Sequence, residues 1–318
     1  MAKTTDPLHR ALYLTGSTAS GKTALAVELA RRLGAEVVSM DSMCLYRGMD
    51  IGTAKPTIEE RAGVPHHLID MKDPWESASV ADYRQWARTA VEQIESRGRR
   101  ALFVGGTPLY LKALLRGLFE GPGAVPERRE ALNAEADRRG DEALHARLAK
   151  LDPRTAARLH PHDRRRIIRA LEVIAITGVP LSALQAEHNR PAPPQVPVFA
   201  LCWPRPELIE RIDRRVVSMF NAGLVEEVRA LVEAPRTIHP VPAQGVGYRE
   251  TIAYLRGEGG TLDETMARVQ ARTRQFSKRQ ATWFRGLVEV VPWPVSNEES
   301  TTAVAERMAT TIEASSQR

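Results

Sequence analysis

The sequence predicts an α/β protein with a parallel sheet, interrupted by an all-helical insertion and finished by helices. Three observations predict it. From Ala11 to Thr107, short apolar runs alternate with segments of helical period. Two stretches rich in Gly and Pro, 117–126 and 188–197, enclose a region of helical patterns with no strand signal. Beyond the second stretch a strand-like run resumes and long helical patterns follow.

The elements read in order. Ala11–Gly16 is an apolar strand, followed by a glycine-rich turn and a helical run, Lys22–Leu33, stopped by Gly34. Glu36–Asp41 is a second strand. The helical run Val80–Gly98 precedes a third, Arg99–Thr107. Residues from about Glu127 to Gln185 read as wholly helical. Pro197–Trp203 resumes the strand pattern, and Glu207–Glu233 is a long helical one. The expected division is a first core part, 1–122, a helical insertion domain, 123–194, and a second core part with C-terminal helices, 195–318.

Composition narrows the function classes. Of 318 residues, 43% are apolar, so a packed core is expected. Two cysteines, Cys44 and Cys202, in no metal-like spacing predict no disulfide framework and fit a reducing cytoplasm. The opening MAKTTDPLHR has no apolar h-region, and no run approaches the ~20 apolar residues of a membrane span. The formal charge is +6, but it is unevenly placed: Arg154–Arg169 carries +5 and Arg268–Arg285 carries +6, leaving the remainder at −5. Positive charge gathered in two short segments is the footprint of polyanion binding. A solvated surface is the bland alternative for any one arginine.

Gly16-Ser17-Thr18-Ala19-Ser20-Gly21-Lys22-Thr23 fits G-x-x-x-x-G-K-[ST], with a strand before it and a helix after. This makes the core P-loop NTPase-like. Backbone amides of such a loop turn toward phosphate oxygens, and the helix N-terminus adds favourable dipole charge. Lys22 supplies a cation, and the Thr23 hydroxyl can hold Mg²⁺. Most such loops hold ATP or GTP, which favours a nucleotide-binding kinase or hydrolase at this point. Those enzymes usually show an acidic Mg²⁺ partner at a strand end. Here the third strand ends Val104-Gly105-Gly106-Thr107 without an acid, whereas the second ends at Asp41. A non-catalytic RNA-binding module with a vestigial loop is a further alternative, against which the intact Lys22-Thr23 pair speaks. His66 and His67 point apart on any regular element and read as structural.

The run Asp41-Ser42-Met43-Cys44-Leu45-Tyr46-Arg47-Gly48-Met49-Asp50-Ile51-Gly52-Thr53-Ala54-Lys55-Pro56, taken with the loop, resembles the tRNA dimethylallyltransferase (tRNA isopentenyltransferase) family. Further matches are Gly105–Tyr110, Arg169–Val173, Gly247–Glu250 and Thr273–Phe284, so the resemblance spans about Leu12 to Trp293. Ser17 departs from the family's usual proline and Cys44 from its frequent glutamine. The resemblance implies that the loop holds the diphosphate of dimethylallyl diphosphate. It implies an acceptor amine on the adenosine 3′ to the anticodon, in tRNAs reading codons that begin with U. It also implies that the insertion clasps the anticodon stem-loop, with Mg²⁺ as cofactor and a monomeric enzyme.

On that reading Asp41 takes the proton of the amine and Thr107 hydrogen-bonds near the same base; Thr107 could equally cap the helix at Pro108. Lys22 and one arginine of Arg211, Arg214 and Arg215, by family pattern Arg215, stabilise the leaving diphosphate. The implied tRNA contacts are Asp41, Ser42, Met43, Cys44, Arg165, Arg166, Ile167, Ile168, Arg169, Gly247, Tyr248, Arg249, Arg274, Gln275, Lys278 and Arg279. In the last basic segment Val269, Phe276 and Trp283 recur every seven residues and read as a core stripe.

Overall fold

The structure is a computed structural model that describes residues 6–117, 121–123, 125–187, 191–193 and 196–316. The chain divides into two compact units: Met1–Leu115 with Ala192–Arg318, and Arg116–Pro191. The larger unit is built on six parallel strands: β1 Leu12–Gly16, β2 Ala35–Ser39, β3 His66–His67, β4 Arg100–Val104, β5 Val198–Cys202 and β6 Val290–Pro294. Their spatial order is β3-β2-β4-β1-β5-β6.

Alternation along the strands feeds two apolar layers. Leu12, Leu14, Val37, Leu102 and Leu201 pack with the helices Lys22–Leu33 and Thr301–Ser316. Tyr13, Val38, Phe103 and Val198 face the other way, with Val80–Ser96 and Pro108–Arg116. The fold is thus an α/β sandwich with a P-loop-like core, as expected. β1 lies between β4 and β5, so the chain winds to one side of it and then to the other. In open parallel sheets, ligands bind at such a switch, beyond the C-terminal strand ends. The glycine-rich turn sits there.

Strands β3 and β6 were not legible. β3 has only two residues, His66 and His67, and β6 carries Pro292 and Pro294, which read as breakers. The histidines are structural: His67 Nε2 meets Glu36 Oε2 at 2.7 Å and His66 Nδ1 meets Val64 O at 2.8 Å. The boundaries expected at 123 and 194 fall at 116 and 191. The helix Pro108–Arg116 buries its apolar face through Leu115 in the larger unit, and Ala192 and Val196 return to that core. The Gly- and Pro-rich stretches themselves lie partly outside the described residues.

The smaller unit is helical where described: Pro126–Arg139, Asp141–Leu151, Pro153–Ala156, Arg164–Thr177 and Leu181–Glu187. Leu132, Leu144, Leu148, Ile167, Ile168 and Leu171 form its core. One carboxylate lies inside it. Glu172 is fully buried and accepts from Val125 N–H at 2.9 Å, Arg129 Nε and Nη2 at 2.9 Å each, and Arg169 Nη1 at 2.7 Å. Burial pushes its pKa up, but the hydrogen bonds prevail and hold it at about 2, against an ordinary 4.5. A depressed carboxyl stabilises the fold fully above its unfolded value and loses that contribution as pH falls toward the folded value. Glu172→Gln is expected to destabilise this unit by about 3–5 kcal/mol at neutral pH, since two guanidinium groups lose their carboxylate. Denaturant unfolding at several pH values should show the gap from wild type narrowing between pH 4.5 and 2. A gap independent of pH would contradict the assignment.

Candidate active site

β1 ends at Gly16 and the helix Lys22–Leu33 opens after a loop with Ala19 and Gly21 at positive φ, 62° and 84°. Four contacts hold the loop from outside. The Ser17 hydroxyl donates to Ser277 O at 3.2 Å, and the Thr18 amide donates to Gln280 Oε1 at 2.8 Å. Arg211 Nε donates to Ala19 O and Trp203 Nε1 to Ser20 O, both at 2.9 Å. Ser17 therefore makes a bond that proline in its place could not.

Lys22 folds back onto this loop. Its Nζ donates to Gly16 O at 2.9 Å, Ser17 O at 2.7 Å and Ser20 Oγ at 3.3 Å. Burial pulls its pKa down to about 7, the Arg215 charge adds to the fall, and Asp41 opposes it. Arg215 comes from the helix Arg205–Asn221. Its Nη2 donates to Thr53 O at 3.5 Å, while its Nε is buried with no partner among the described residues. Burial lowers its pKa too, with Asp41 and Cys44 opposing. A buried guanidinium donor without a partner fits an anionic ligand. Of the other two arginines, Arg211 lies 4.1 Å over the Trp203 ring, and Arg214 is exposed, 3.7 Å from Glu210. Thr23 sits half-buried on the first helical turn.

The acidic side of the site continues from β2. Met40 passes so close to Gly105 that a Cβ there would lie 2.1 Å from Met40 O, so only glycine fits. Thr107 N–H donates to Met40 O at 3.3 Å, and the Thr107 hydroxyl accepts from Ser42 N–H at 3.1 Å. Thr107 O also accepts the first amides of the helix Pro108–Arg116, from Tyr110 and Leu111. Asp41 Oδ1 accepts from Met43 N–H at 2.9 Å. The Asp41 charge acts on Lys22, Arg215 and Cys44 alike. Cys44 is buried, which pushes its thiol pKa up, with the Asp41 charge adding to the rise.

Two anchors that sequence reasoning missed fix the loop after Asp41. Glu227 accepts from the amides of Asp50, Ile51 and Gly52 at 2.8, 2.7 and 3.1 Å, and from the Tyr248 hydroxyl at 2.6 Å. The Tyr248 ring lies over Gly52, where a Cβ would meet it at 2.5 Å. Buried Lys55 donates to Tyr46 O, Asp50 Oδ1 and Asp70 Oδ1 at 2.7, 2.5 and 2.5 Å. In one sequence Glu227 is an ordinary acid of an amphipathic helix, and nothing marks it. Tyr248 is only 2% exposed, so the expected tRNA contact is corrected to a clamp on Glu227.

Other expected contacts sort by exposure. Arg165 and Arg166 are exposed, but Ile167 and Ile168 are core of the smaller unit, and Arg169 is tied to Glu172 and to Pro122 O. Ile167 and Ile168 are corrected from RNA contacts to structural residues, because the helix Arg164–Thr177 turns them inward, whereas Arg169, its side chain 36% exposed, is held by Glu172 at the surface. Ser42 and Met43 are half-buried at the pocket. Gly247 N–H donates to buried Glu250, which also pairs with Arg249 at 2.6 Å, and Arg274 pairs with Asp213 at 2.5 Å. Gln275, Lys278 and Arg279 are exposed on the helix Leu262–Arg285. That helix buries Thr265, Val269, Ser277, Gln280 and Phe284, whereas Trp283 is 43% exposed. The expected stripe was out of phase because two buried positions, Ser277 and Gln280, are polar.

A model of the IPP transferase family matches residues 44–287. The chain belongs to that family. It is 47% identical over 294 residues to tRNA dimethylallyltransferase 1 of Trichlorobacter lovleyi, covering 92% of this chain and 96% of the relative. The tRNA dimethylallyltransferase of Anaeromyxobacter dehalogenans is 49% identical over 287 residues, 89% of this chain and 95% of that one. Among solved structures, the tRNA isopentenylpyrophosphate transferase of Bacillus halodurans superposes with a TM-score of 0.70 at 39% identity, covering 97% and 98% of the two chains. A eukaryotic dimethylallyltransferase acting on tRNA gives 0.80 at 26% identity, over 97% of this chain and 80% of that one.

Proposed function

We propose that the chain transfers a dimethylallyl group from dimethylallyl diphosphate to the exocyclic amine of the adenosine 3′ to the anticodon, in tRNAs reading codons that begin with U. One observation carries the reading. The charges of Arg215 and Asp41 both act on Lys22, and the buried Nε of Arg215 has no partner among the described residues: two cations suited to a diphosphate and one carboxylate suited to a proton. The names of the relatives support the same donor and acceptor classes.

An adenine amine is a weak nucleophile, because its lone pair is delocalised into the ring. The site must therefore ease departure of the diphosphate and aim the amine. The bond from allylic carbon to diphosphate oxygen breaks, and its electron pair stays on the diphosphate. Lys22, Arg215 and the amides of the glycine-rich loop meet that charge. A bond forms from the amine nitrogen to the carbon, and the released proton passes to Asp41. Thr107 holds the backbone beside Asp41 through the Ser42 amide. Mg²⁺, when bound, neutralises the leaving diphosphate. The Thr23 hydroxyl would hold it, with phosphate oxygens and water completing the shell, as suits a cation that keeps much of its hydration. Among the described residues no cluster of His, Cys, Asp and Glu could hold a metal by itself.

Reaching the base requires its extrusion from the anticodon loop, which costs a few kcal/mol. Phosphate contacts from Arg165, Arg166, Lys278 and Arg279 supply it in this reading, with Ser42, Met43 and Gln275 near the loop. The enzyme acts as a monomer in the cytoplasm, where its substrate resides. Among the described residues no helix is long and apolar enough to cross a membrane.

Incubation with labelled dimethylallyl diphosphate or labelled ATP, each with and without tRNA, tests the proposal. Label should pass from the prenyl donor to tRNA alone; tRNA-independent hydrolysis of ATP without prenyl transfer would overturn it. Asp41→Asn should keep tRNA binding and lose about 10²–10⁴-fold in turnover, the usual worth of a general base. Near-normal turnover would remove Asp41 from that role. Replacing Arg165 and Arg166 together by Ala, with Arg169 kept for stability, should weaken stem-loop binding. The plot of log affinity against log salt should flatten by about one unit for each phosphate the variant no longer neutralises. An unchanged slope would make both arginines a solvated face.

A further inference from the structure

The basic helix Leu262–Arg285 carries a side chain whose position the proposed reaction leaves unexplained. Gln280 is 4% exposed. Its Oε1 accepts from the Thr18 amide of the glycine-rich loop at 2.8 Å, and its Nε2 donates to Gly106 O at 2.6 Å. The amide cannot be reversed, because one neighbour is a donor and the other an acceptor. It also packs directly on the backbone: a Cβ on Gly106 would lie 2.6 Å from Nε2. One residue further, Thr107 holds the Ser42 amide beside Asp41. One turn earlier on the same helix, Ser277 O accepts from Ser17 in the loop, while Lys278 and Arg279 face solvent. A single buried amide therefore joins the loop that would hold the donor to the strand end that would receive the acceptor.

We propose that Gln280 is a positioning residue: it fixes the separation between the glycine-rich loop and the Asp41–Thr107 pair, and so the approach of the amine to the allylic carbon. This rests on the transfer reaction proposed above. Bond formation needs the reacting atoms about 3–3.5 Å apart, and a misplacement of ~1 Å can cost ~10²-fold. A spacer of this kind contributes to kcat while touching neither reacting atom.

The experiment compares wild type, Gln280→Met and Gln280→Glu. It measures single-turnover transfer from dimethylallyl diphosphate to an anticodon stem-loop between pH 5.5 and 8.5, with separate dissociation constants for donor and stem-loop. Gln280→Met fills the space without either hydrogen bond. It should lose about 10–100-fold in the transfer rate, within the cost of misplacement, while each dissociation constant changes by no more than about threefold. Gln280→Glu should be impaired at high pH, where the introduced carboxylate opposes Gly106 O. As pH falls and the carboxyl gains a proton, it again offers one acceptor and one donor. Its rate relative to wild type at the same pH should then climb, a recovery that a purely structural role would not produce. A transfer rate for Gln280→Met within twofold of wild type would overturn the inference, as would a flat Gln280→Glu ratio across that range. Failure of the wild type itself to transfer the prenyl group would instead sink the underlying reaction.

Discussion

Two buried like charges within electrostatic reach of each other govern this site. Lys22 and Arg215 are both driven toward their neutral forms by burial, and only Asp41 opposes the effect on both. For Lys22 the fall from 10.5 to about 7 corresponds to on the order of 5 kcal/mol against the charged form. Folding tolerates this arrangement because the rest of the larger unit is a well-buried parallel sandwich. A ligand with two or more negative charges relieves it, so the site favours a multiply charged anion before any specific contact is considered.

Holding these charges in place requires a rigid frame, and the frame comes from far along the chain. The loop at 16–23 is fixed by Trp203, Arg211, Ser277 and Gln280. The loop after Asp41 is fixed by Glu227, Tyr248 and Lys55. Several of these residues lie on the helices that also present exposed basic side chains. The glycine-rich loop, the loop after Asp41 and the basic helix are thus one mechanical assembly within the larger unit.

Much of this was legible in the sequence where the signal is local. Strand β1, the glycine-rich turn and the helix Lys22–Leu33 declare themselves in two dozen residues, because each position has a conformational reason to be what it is. The roles of Asp41 and Thr107 and the choice of Arg215 among its neighbours came from resemblance; in the structure the charges of Asp41 and Arg215 act on Lys22, and Thr107 binds the Ser42 amide next to Asp41. What stayed hidden depends on distant partners. Glu227 looks like any helix-surface acid until three amides arrive from residues 50–52. Ser277 and Gln280 break the apolar pattern of their helix, which shifts the expected stripe to Trp283. Ile167 and Ile168 sit in a basic segment that reads as surface, although the apolar core turns them inward, and Arg169 beside them is tied to buried Glu172. A buried polar residue on an otherwise regular face is, in this fold, the mark of the site.

The measurement that tests this account most directly is the proton balance of inorganic diphosphate binding. Titration calorimetry at pH 8 in buffers of different ionisation enthalpy gives the protons taken up, for wild type and for Lys22→Arg. Burial pulls the Lys22 pKa down to about 7, so binding an anion at that pH draws protons onto it, whereas an arginine there starts charged. The account predicts that wild type takes up more protons than the variant, a difference from which titration of the ligand cancels. Equal proton uptake by the two proteins, with diphosphate bound by both, would contradict it.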